Sequence, residues 1–158
     1  MTISSYTMTM ATPVGRLVLE SDEVELIAVW LPKSGRSIVG QSHKRPAVLR
    51  VTAAQLEEYF VRERTEFDLP IRLGGTKFQQ EVWAGLLRIP YGETISYGDL
   101  ARDLGRPKGY RAVGQANARN PIPIVVPCHR VVASGGLGGY AGGLAMKQEL
   151  LRIEGIDP

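Results

Sequence analysis

One cysteine carries most of the chemistry that this sequence can offer. Cys128 is the only cysteine among the 158 residues, and His129 follows it directly. A thiol becomes a good nucleophile only as a thiolate, so it needs a nearby base or positive charge, and His129 and Arg130 are the candidate sources. Because adjacent side chains usually point in different directions, His129 can act through a water rather than directly. The competing interpretation is that Cys128 is a small buried apolar residue.

The rest of the composition limits which kinds of functional site the chain can form. With a single cysteine the chain cannot form an intramolecular disulfide, and one cysteine with two distant histidines, His43 and His129, does not suit a structural zinc site. We therefore expect no metal and no other cofactor. No apolar run is long enough to span a bilayer, and the N-terminal sequence MTISSYTMTM has neither the basic nor the apolar region of a secretion signal. These features predict a cytoplasmic protein without membrane contact.

Two segments flank the thiol and must position it. Residues 121–132 form an apolar run bounded by prolines, which predicts an extended backbone that holds Cys128 rigidly. Residues 134–143 form a glycine-rich loop without the GKS or GKT ending of a phosphate-binding loop. This loop is either a flexible surface segment or a lid whose backbone approaches a flat ligand.

A final helix, from about Leu144 to Glu154, is predicted after the glycine-rich loop. The spacing places Lys147, Leu151 and Glu154 on one face of this helix. That face can present the Glu154 carboxylate to His129. The alternative, which the sequence pattern alone favours, is that a glutamate at a helix end is exposed to solvent.

Two short helices precede the thiol segment. Ser96, with Asp99 three residues later, resembles a capping box and opens a helix that closes at Gly105. A second helix runs from about Lys108 to Ala118, because Asn120-Pro121 must end it. Two short helices joined by a three-residue turn containing glycine predict a helix-turn-helix.

The second of these helices has a face suited to a DNA groove. Its small apolar residues are expected to point inward: Ala112, Val113 and Ala116. Its other side presents a glycine, which allows close backbone approach, and long polar residues: Arg111, Gly114, Gln115 and Arg119. From residue 102 to residue 130 one acidic side chain, Asp103, accompanies six basic ones: Arg102, Arg106, Lys108, Arg111, Arg119 and Arg130. This charge favours a phosphate-binding surface, although a merely solvated face has the same pattern.

The first half of the chain has no cluster of reactive side chains and is predicted to be a scaffold. Its expected elements are strands and one helix: Thr7–Met10, Arg16–Glu20, Glu25–Trp30, the helix Ala47–Arg64, and a last strand Glu66–Leu73. Gly74-Gly75 marks the boundary between two predicted domains, residues 1–73 and residues 74–158. Thr76 then caps a helix that ends at Ile89-Pro90.

Four strings in the second half carry a family resemblance: YGETISY at 91–97, RAVG at 111–114, NP at 120–121 and PCHRV at 127–131. In order and spacing they resemble the O6-alkylguanine-DNA alkyltransferases, also called methylated-DNA–protein-cysteine methyltransferases, and the match continues from Tyr140 to Glu154. The resemblance implies direct-reversal DNA repair, in which an alkyl group passes once and irreversibly from O6-alkylguanine to the protein's own cysteine. O4-alkylthymine is left open as a second substrate.

The resemblance also implies a fold class. We expect an α/β protein with an N-terminal ribonuclease-H-like antiparallel sheet and helix. The C-terminal domain is expected to be mostly helical and of winged-helix type, with a helix-turn-helix.

For the chemistry, the resemblance assigns roles to five residues. Cys128 accepts the alkyl group, His129 takes the thiol proton through a bound water, and Glu154 orients that histidine. Asn120 braces the active-site turn. Tyr97 crowds the DNA backbone and donates a proton or hydrogen bond to the departing guanine.

For binding, the resemblance places a helix in the minor groove of double-stranded DNA, with Arg111 entering the base stack where the damaged nucleotide has flipped out. The expected DNA-binding residues are Tyr97, Arg111, Ala112, Gly114, Gln115 and Arg130. The expected base-pocket residues are Asn117, Val131, Tyr140, Ala141 and Lys147. Carbonyls of Cys128 and Val131 would receive the guanine amino group. Some relatives have methionine in place of Asn117 and serine in place of Ala141, which leaves the accepted alkyl size open.

Three other functions compete with this interpretation. The main alternative is a non-catalytic sensor of alkylated DNA, but such relatives lack the acceptor cysteine. A winged-helix transcription regulator would leave PCHR and Glu154 without a purpose. A thiol hydrolase usually has its histidine far from the cysteine in sequence, and His43 lies in a chemically bland loop. We expect a monomer that binds alkylated double-stranded DNA and has no obligate protein partner.

Overall fold

Three antiparallel strands form the sheet of the N-terminal half. The computed structural model describes residues 5–34 and 44–158, so His43 lies outside the described residues. The strands are β1 (Tyr6–Thr12), β2 (Gly15–Ser21) and β3 (Leu26–Trp30), in the sheet order β1-β2-β3, and a 3-10 turn (Pro32–Ser34) follows. The three predicted strands are confirmed, with ends that shift by at most two residues.

Helix α1 (Ala47–Phe60) packs its buried side, including Leu49 and Leu56, against the sheet. It ends four residues before the predicted Arg64. The reason is local, because Arg62 adopts a left-handed backbone conformation with φ 64° that cannot continue a helix.

The predicted strand over residues 66–73 is wrong. Within the described residues this segment makes a single parallel bridge, between Ile71 and Leu26. The Leu26 N–H donates to the Pro70 carbonyl at 2.8 Å, and the Arg72 N–H donates to the Leu26 carbonyl at 2.9 Å. Pro70 itself has no N–H to donate, which limits how far a ladder can extend.

The C-terminal half is mostly helical, as predicted. Its elements are α2 (Lys77–Leu87), α3 (Tyr97–Asp103), α4 (Tyr110–Ala118), α5 (Leu144–Ile153), a 3-10 turn (Cys128–Arg130), and two short strands, β4 (Ile95–Ser96) and β5 (Val131–Val132). The two strands pair in parallel. The α/β fold class with a sheet in the first half is therefore confirmed.

Helices α2 and α3 begin at capping residues. The Thr76 hydroxyl accepts a hydrogen bond from the Gln79 N–H at 3.1 Å, and the Gln79 side chain accepts one from the Thr76 N–H at 3.0 Å. Ser96 caps α3 by accepting from the Asp99 N–H at 3.0 Å. The second half of that predicted capping box is not seen, because the Asp99 carboxylate pairs with Arg102 instead.

The helix pair α3–α4 has a longer connection than predicted, six residues (104–109) instead of three. Backbone hydrogen bonds hold this connection, from the Arg106 N–H to the Ala101 carbonyl and from the Gly109 N–H to the Arg106 carbonyl, both at 2.8 Å. The indole of Trp83 on α2 donates to the Ala116 carbonyl at 2.9 Å and fixes α4 from below. Ala112, predicted to point inward, is exposed.

One hydrophobic core joins the two halves of the chain. It contains Leu19 and Leu56 from the first half together with Leu86 and Val131 from the second. The division at residues 73 and 74 therefore stays a prediction. Across the described part of the chain, no helix combines the length and apolar character needed to cross a membrane.

Thr76→Ala should lower the free energy of unfolding by about 1 kcal/mol, because the first turn of α2 loses its side-chain cap. Urea denaturation of both proteins measures the difference. Thr76→Ser keeps the hydroxyl and should stay close to the unchanged protein. An equal loss for alanine and serine would show that the methyl group of Thr76, and not its hydroxyl, is what matters.

Candidate active site

A cavity of about 1060 Å³ lies beside Cys128. Seven of the predicted site residues line it: Tyr97, Gly114, Asn117, Asn120, Cys128, Tyr140 and Ala141. The N-terminal half contributes Ala28–Leu31 of β3 and Ser34 to the same wall. Sequence reasoning missed this contribution, because the alternation of a β-strand does not show what lies across from it.

A tight turn holds Cys128 in place. The Asn120 side chain accepts from the Ile122 N–H at 2.9 Å and donates to the Val126 carbonyl at 2.7 Å. Ile124, fully buried between them, has a φ of 75°, which a β-branched residue rarely adopts. The amide of Asn120 thus closes a strained turn, and strain of this kind concentrates at functional sites.

The Cys128 thiol is buried and protonated at rest. Burial raises its pKa to about 11, although a hydrogen bond from Asn120 and the charge of Lys147 act in the opposite direction. At neutral pH only about one molecule in ten thousand would hold a thiolate. A thiolate at Cys128 therefore requires a base that removes this proton.

The Glu154 carboxylate is the centre of a buried hydrogen-bond network. Its Oε2 is bonded to His129 Nε2 and accepts from the Tyr59 hydroxyl at 2.7 Å. Its Oε1 accepts from Arg130 Nε at 2.8 Å and from the Gly92 N–H at 3.1 Å. Burial alone would raise the pKa of Glu154, but the hydrogen bonds from His129 and Arg130 and the charge of Arg130 outweigh it and hold the pKa at about 2. The expectation of a solvent-exposed Glu154 is wrong.

This network defines the tautomer of His129. The imidazole is fully buried, and burial lowers its pKa even though Glu154 acts to raise it, so the ring is neutral at neutral pH. A neutral ring that faces a carboxylate with Nε2 carries its proton there and donates it to Glu154. Nδ1 is then an acceptor, and within residues 5–34 and 44–158 it has no hydrogen-bond partner. His129 is thus prepared to take one proton.

Arg130 is not a DNA-surface residue, and that prediction is wrong. Its side chain is buried, its Nε donates to Glu154, and its Nη1 donates to the Ile89 carbonyl at 2.7 Å. The guanidinium also lies over the Tyr91 ring at 5.7 Å. A count of basic residues in the segment does not show where each side chain points. The 3-10 turn directs the Arg130 side chain toward Glu154.

Tyr97, Asn117 and Gly114 meet at one wall of the cavity. Burial raises the pKa of Tyr97, as does the nearby Cys128, so the phenol keeps its proton. The Asn117 amide donates to the Cys128 carbonyl at 3.3 Å, and its buried Oδ1 has no partner in the described part of the chain. A methyl group at Gly114 would lie 3.6 Å from the Tyr97 ring, an ordinary contact, so the protein's own packing does not require this glycine.

Lys147 holds the glycine-rich loop from below. Its fully buried ammonium donates to the carbonyls of Val131, Leu137 and Gly139 at 2.7, 2.5 and 3.0 Å. Burial lowers its pKa to about 8. Lys147 and Val131 are not among the residues that line the cavity, whereas Tyr140 and Ala141, carried by the loop, are. Lys147 therefore holds the loop over the site at two backbone points, Leu137 and Gly139, and links it to β5 at Val131.

The outer face of α4 is exposed, with Arg111, Ala112 and Gln115 all open to solvent. The Arg111 guanidinium lies over the neighbouring Tyr110 ring at 5.8 Å. Small side chains and an arginine on one exposed helix face beside the cavity suit contact with a nucleic acid backbone and groove. None of the described residues forms a group of three or more His, Cys, Asp or Glu side chains suited to a metal ion.

Comparisons with known proteins cover nearly the whole chain. The family model for the ribonuclease-like domain of 6-O-methylguanine DNA methyltransferase matches residues 5–73, and the model for its DNA-binding domain matches residues 77–156. The constitutive methylated-DNA–protein-cysteine methyltransferase of Bacillus subtilis is 44% identical over 159 residues, which cover 96% of each chain. The methyltransferase of that name from Methanosarcina acetivorans is 46% identical over 95% of this chain and 98% of its own.

Solved structures agree with the sequence relatives. The O6-methylguanine methyltransferase of Mycobacterium tuberculosis superposes with a TM-score of 0.82 at 41% identity, over 96% of this chain and 93% of that one. The same organism's OGT in complex with DNA gives a TM-score of 0.80 at 44% identity, over 92% and 90% of the two chains. With both halves matched in sequence and in structure, the chain belongs to the 6-O-methylguanine DNA methyltransferase family, the methylated-DNA–protein-cysteine methyltransferases.

Proposed function

We propose that this protein repairs DNA by direct reversal and that Cys128 takes the alkyl group from O6-alkylguanine onto its own sulfur. The observation that carries the proposal is a buried thiol at the wall of a cavity, next to a neutral histidine. The Nε2 of this histidine is held by a carboxylate, and its Nδ1 has no hydrogen-bond partner in the part of the chain that the structure describes. Relatives named for this activity across most of the chain support it.

The reaction is a displacement at the alkyl carbon. A carbon–sulfur bond forms at Cys128 while the bond from that carbon to guanine O6 breaks. The thiol proton passes to His129 Nδ1 through a water, and the phenol of Tyr97 supplies a proton to the departing guanine. Proton return from His129 to Tyr97 balances the step and leaves unmodified guanine and a thioether.

A thioether is stable in water, so each molecule acts once. With no second cysteine in the chain, the group has no further thiol to move to. The protein is consumed by its own reaction, and no cofactor takes part in the proposed step.

The alkyl carbon of a paired guanine is out of reach, so the nucleotide must leave the helix. We propose that α4 lies in the minor groove of double-stranded DNA, with Ala112, Gly114 and Gln115 near the backbone. Arg111 enters the base stack in place of the guanine and offsets part of the unstacking energy. The DNA complex of a relative that is 44% identical supports binding by this fold.

In the cavity we propose that the base lies between Tyr140 and the Asn117 side of the wall, with the backbone of Ala141 beside it. The carbonyls of Cys128 and Val131 accept the guanine amino group. The Cys128 carbonyl already accepts hydrogen bonds from the Asn117 amide and the Val131 N–H, and the Val131 carbonyl accepts one from Lys147, so the guanine amino group has to share these acceptors. A monomer in the cytoplasm, without an obligate protein partner, completes the proposal.

Incubation with a duplex that carries one O6-methylguanine should add the mass of one CH₂ to the intact protein. Mass spectrometry should map the gain to the Cys128 peptide and find it saturating at one group per chain. Cys128→Ala should bind the same duplex without any gain. Tight binding with no gain in the unchanged protein would instead identify a non-catalytic sensor.

The rate of transfer should depend differently on pH when His129 is replaced. Because burial lowers the pKa of His129 below its ordinary value, the neutral base is present throughout pH 6.5 to 7.5, and the rate should be flat there. In His129→Gln only the preformed thiolate can react, so the rate should rise about tenfold over the same pH unit. Single-turnover kinetics with the methylated duplex measures both profiles.

The interval stays below the pKa of about 8 of Lys147, whose titration would otherwise disturb the loop. Equal affinity of the two proteins for the duplex is the control for binding. If the rates of the unchanged protein and of His129→Gln rose with pH by the same slope, His129 would not be the base.

Arg111→Ala should slow transfer from a methylated duplex more than transfer from the same sequence as a single strand, because only the duplex requires a base to be displaced. The measured quantity is the ratio of the two rate constants. Arg111→Lys is the matched control, since it keeps the charge and a long side chain. A loss that is equal on both substrates would assign Arg111 to general electrostatic binding.

A further inference from the structure

The buried carboxylate beside His129 is bonded to a residue from the other half of the chain. The hydroxyl of Tyr59, on α1, donates to Glu154 Oε2 at 2.7 Å across 95 residues of sequence. Oε2 is also the oxygen bonded to His129 Nε2. We propose that Tyr59 is a positioning residue for alkyl transfer, which fixes the Glu154 carboxylate and through it the orientation and basicity of His129. This inference rests on the proposed function.

The environment of Tyr59 fixes its hydroxyl in one direction. The side chain is fully buried. Its ring meets Phe60 edge-on at 5.3 Å and Tyr91 edge-on at 6.3 Å, and Phe67 packs on it at 5.6 Å between ring centroids. Rings packed on several sides leave the phenol little freedom to rotate away from Glu154.

Tyr59 acts as a permanent donor and not as an acid or base. Burial raises its pKa far above the ordinary value for tyrosine, and the nearby Glu154 charge raises it further. The phenol therefore never loses its proton under conditions in which the protein is folded. Its effect on the reaction must pass through the carboxylate that it touches.

The direction of that effect follows from competition for one oxygen. While Tyr59 donates to Oε2, part of the electron density of that oxygen is engaged, and its attraction for the His129 proton is weaker. Without the hydroxyl, Glu154 becomes the more basic partner and stabilises the imidazolium form. The pKa of His129 then rises, and the free base disappears at a higher pH.

The other charged and titratable groups around this pair remain unchanged in such a variant. They are Arg130 and Lys147, which both lower the pKa of His129, Tyr91, which faces Glu154, and Arg62, which lies near Tyr91 and donates to the Arg152 carbonyl at 3.1 Å. A shift in the titration of His129 on loss of the Tyr59 hydroxyl can therefore be assigned to that hydroxyl.

The test compares Tyr59→Phe with the unchanged protein in single-turnover transfer from the methylated duplex between pH 5 and pH 8. The acid limb of the profile should move upward by at least about half a pH unit, so that the rate at the acid end falls about threefold relative to the plateau. Thr52→Val is the matched control, because it removes a buried hydroxyl from the same helix that donates to the Val48 carbonyl at 2.6 Å. Its normalised profile should superpose on that of the unchanged protein.

Nitrogen NMR of the imidazole provides a second readout that does not depend on transfer. The chain has only two histidines, and His129→Gln identifies the signals of His129. Tyr59→Phe should raise the titration midpoint of His129, and Thr52→Val should not. If transfer is absent from the unchanged protein, the proposed function fails, while the His129 titration still tests the contact with Tyr59.

If Tyr59→Phe does not fold, the unchanged protein is produced with 3-fluorotyrosine in place of tyrosine. The fluorinated phenols are stronger hydrogen-bond donors. The midpoint of His129 should then move downward. Loss of stability in Tyr59→Phe with an unchanged His129 midpoint and pH profile would overturn the proposal and leave Tyr59 as a packing residue.

Discussion

A charged carboxylate in the interior is the constraint that organises this molecule. Glu154 is almost completely buried, and an unpaired charge in such a position costs several kcal/mol. Four donors satisfy it, and they come from separate parts of the chain: Tyr59 from α1, Gly92 from the loop after α2, and His129 with Arg130 from the turn that holds the thiol. Because each segment contributes a donor, movement of any one of them would leave the Glu154 carboxylate short of a hydrogen bond. The turn that holds Cys128 is fixed as a consequence.

The same network explains how the Cys128 thiol stays unreactive in the resting protein. Burial keeps Cys128 protonated and His129 neutral, so neither partner carries a charge at rest. Under the proposed function, reactivity then depends on transfer of the thiol proton to His129. Two of the buried polar atoms that lack a hydrogen-bond partner among the described residues, His129 Nδ1 and Asn117 Oδ1, lie next to the thiol segment. Buried atoms without partners are uncommon, and at a reaction site they are available to substrate or water.

Local signals in the sequence were sufficient for most of the elements. Thr76 and Ser96 begin their helices as capping rules predict, and the three N-terminal strands lie where alternation and turns place them. Failures arose where the outcome depends on distant or side-chain geometry. The left-handed Arg62 ended α1 early, and Arg130 turned inward to a carboxylate 24 residues away. Tyr59 had only the signature of a core aromatic on an amphipathic helix, since nothing local distinguishes a buried phenol with a structural partner from one with a functional partner.

These long-range contacts give the N-terminal half a role beyond that of a scaffold. The interpretation of residues 1–73 as a scaffold accounts for the shared hydrophobic core, but a scaffold need not reach the reacting groups. Here β3 supplies part of the cavity wall, and the Val29 N–H donates to the Pro121 carbonyl at 2.9 Å, at the start of the turn that carries Cys128. Through these contacts and the bond from Tyr59, the first half of the chain reaches the thiol segment, the cavity and the Glu154 carboxylate that is bonded to His129. A C-terminal half on its own would keep every residue of the family motifs, yet it would have a cavity open on one side and a carboxylate short of one donor. The N-terminal half thus completes both the cavity wall beside Cys128 and the hydrogen-bond network around His129.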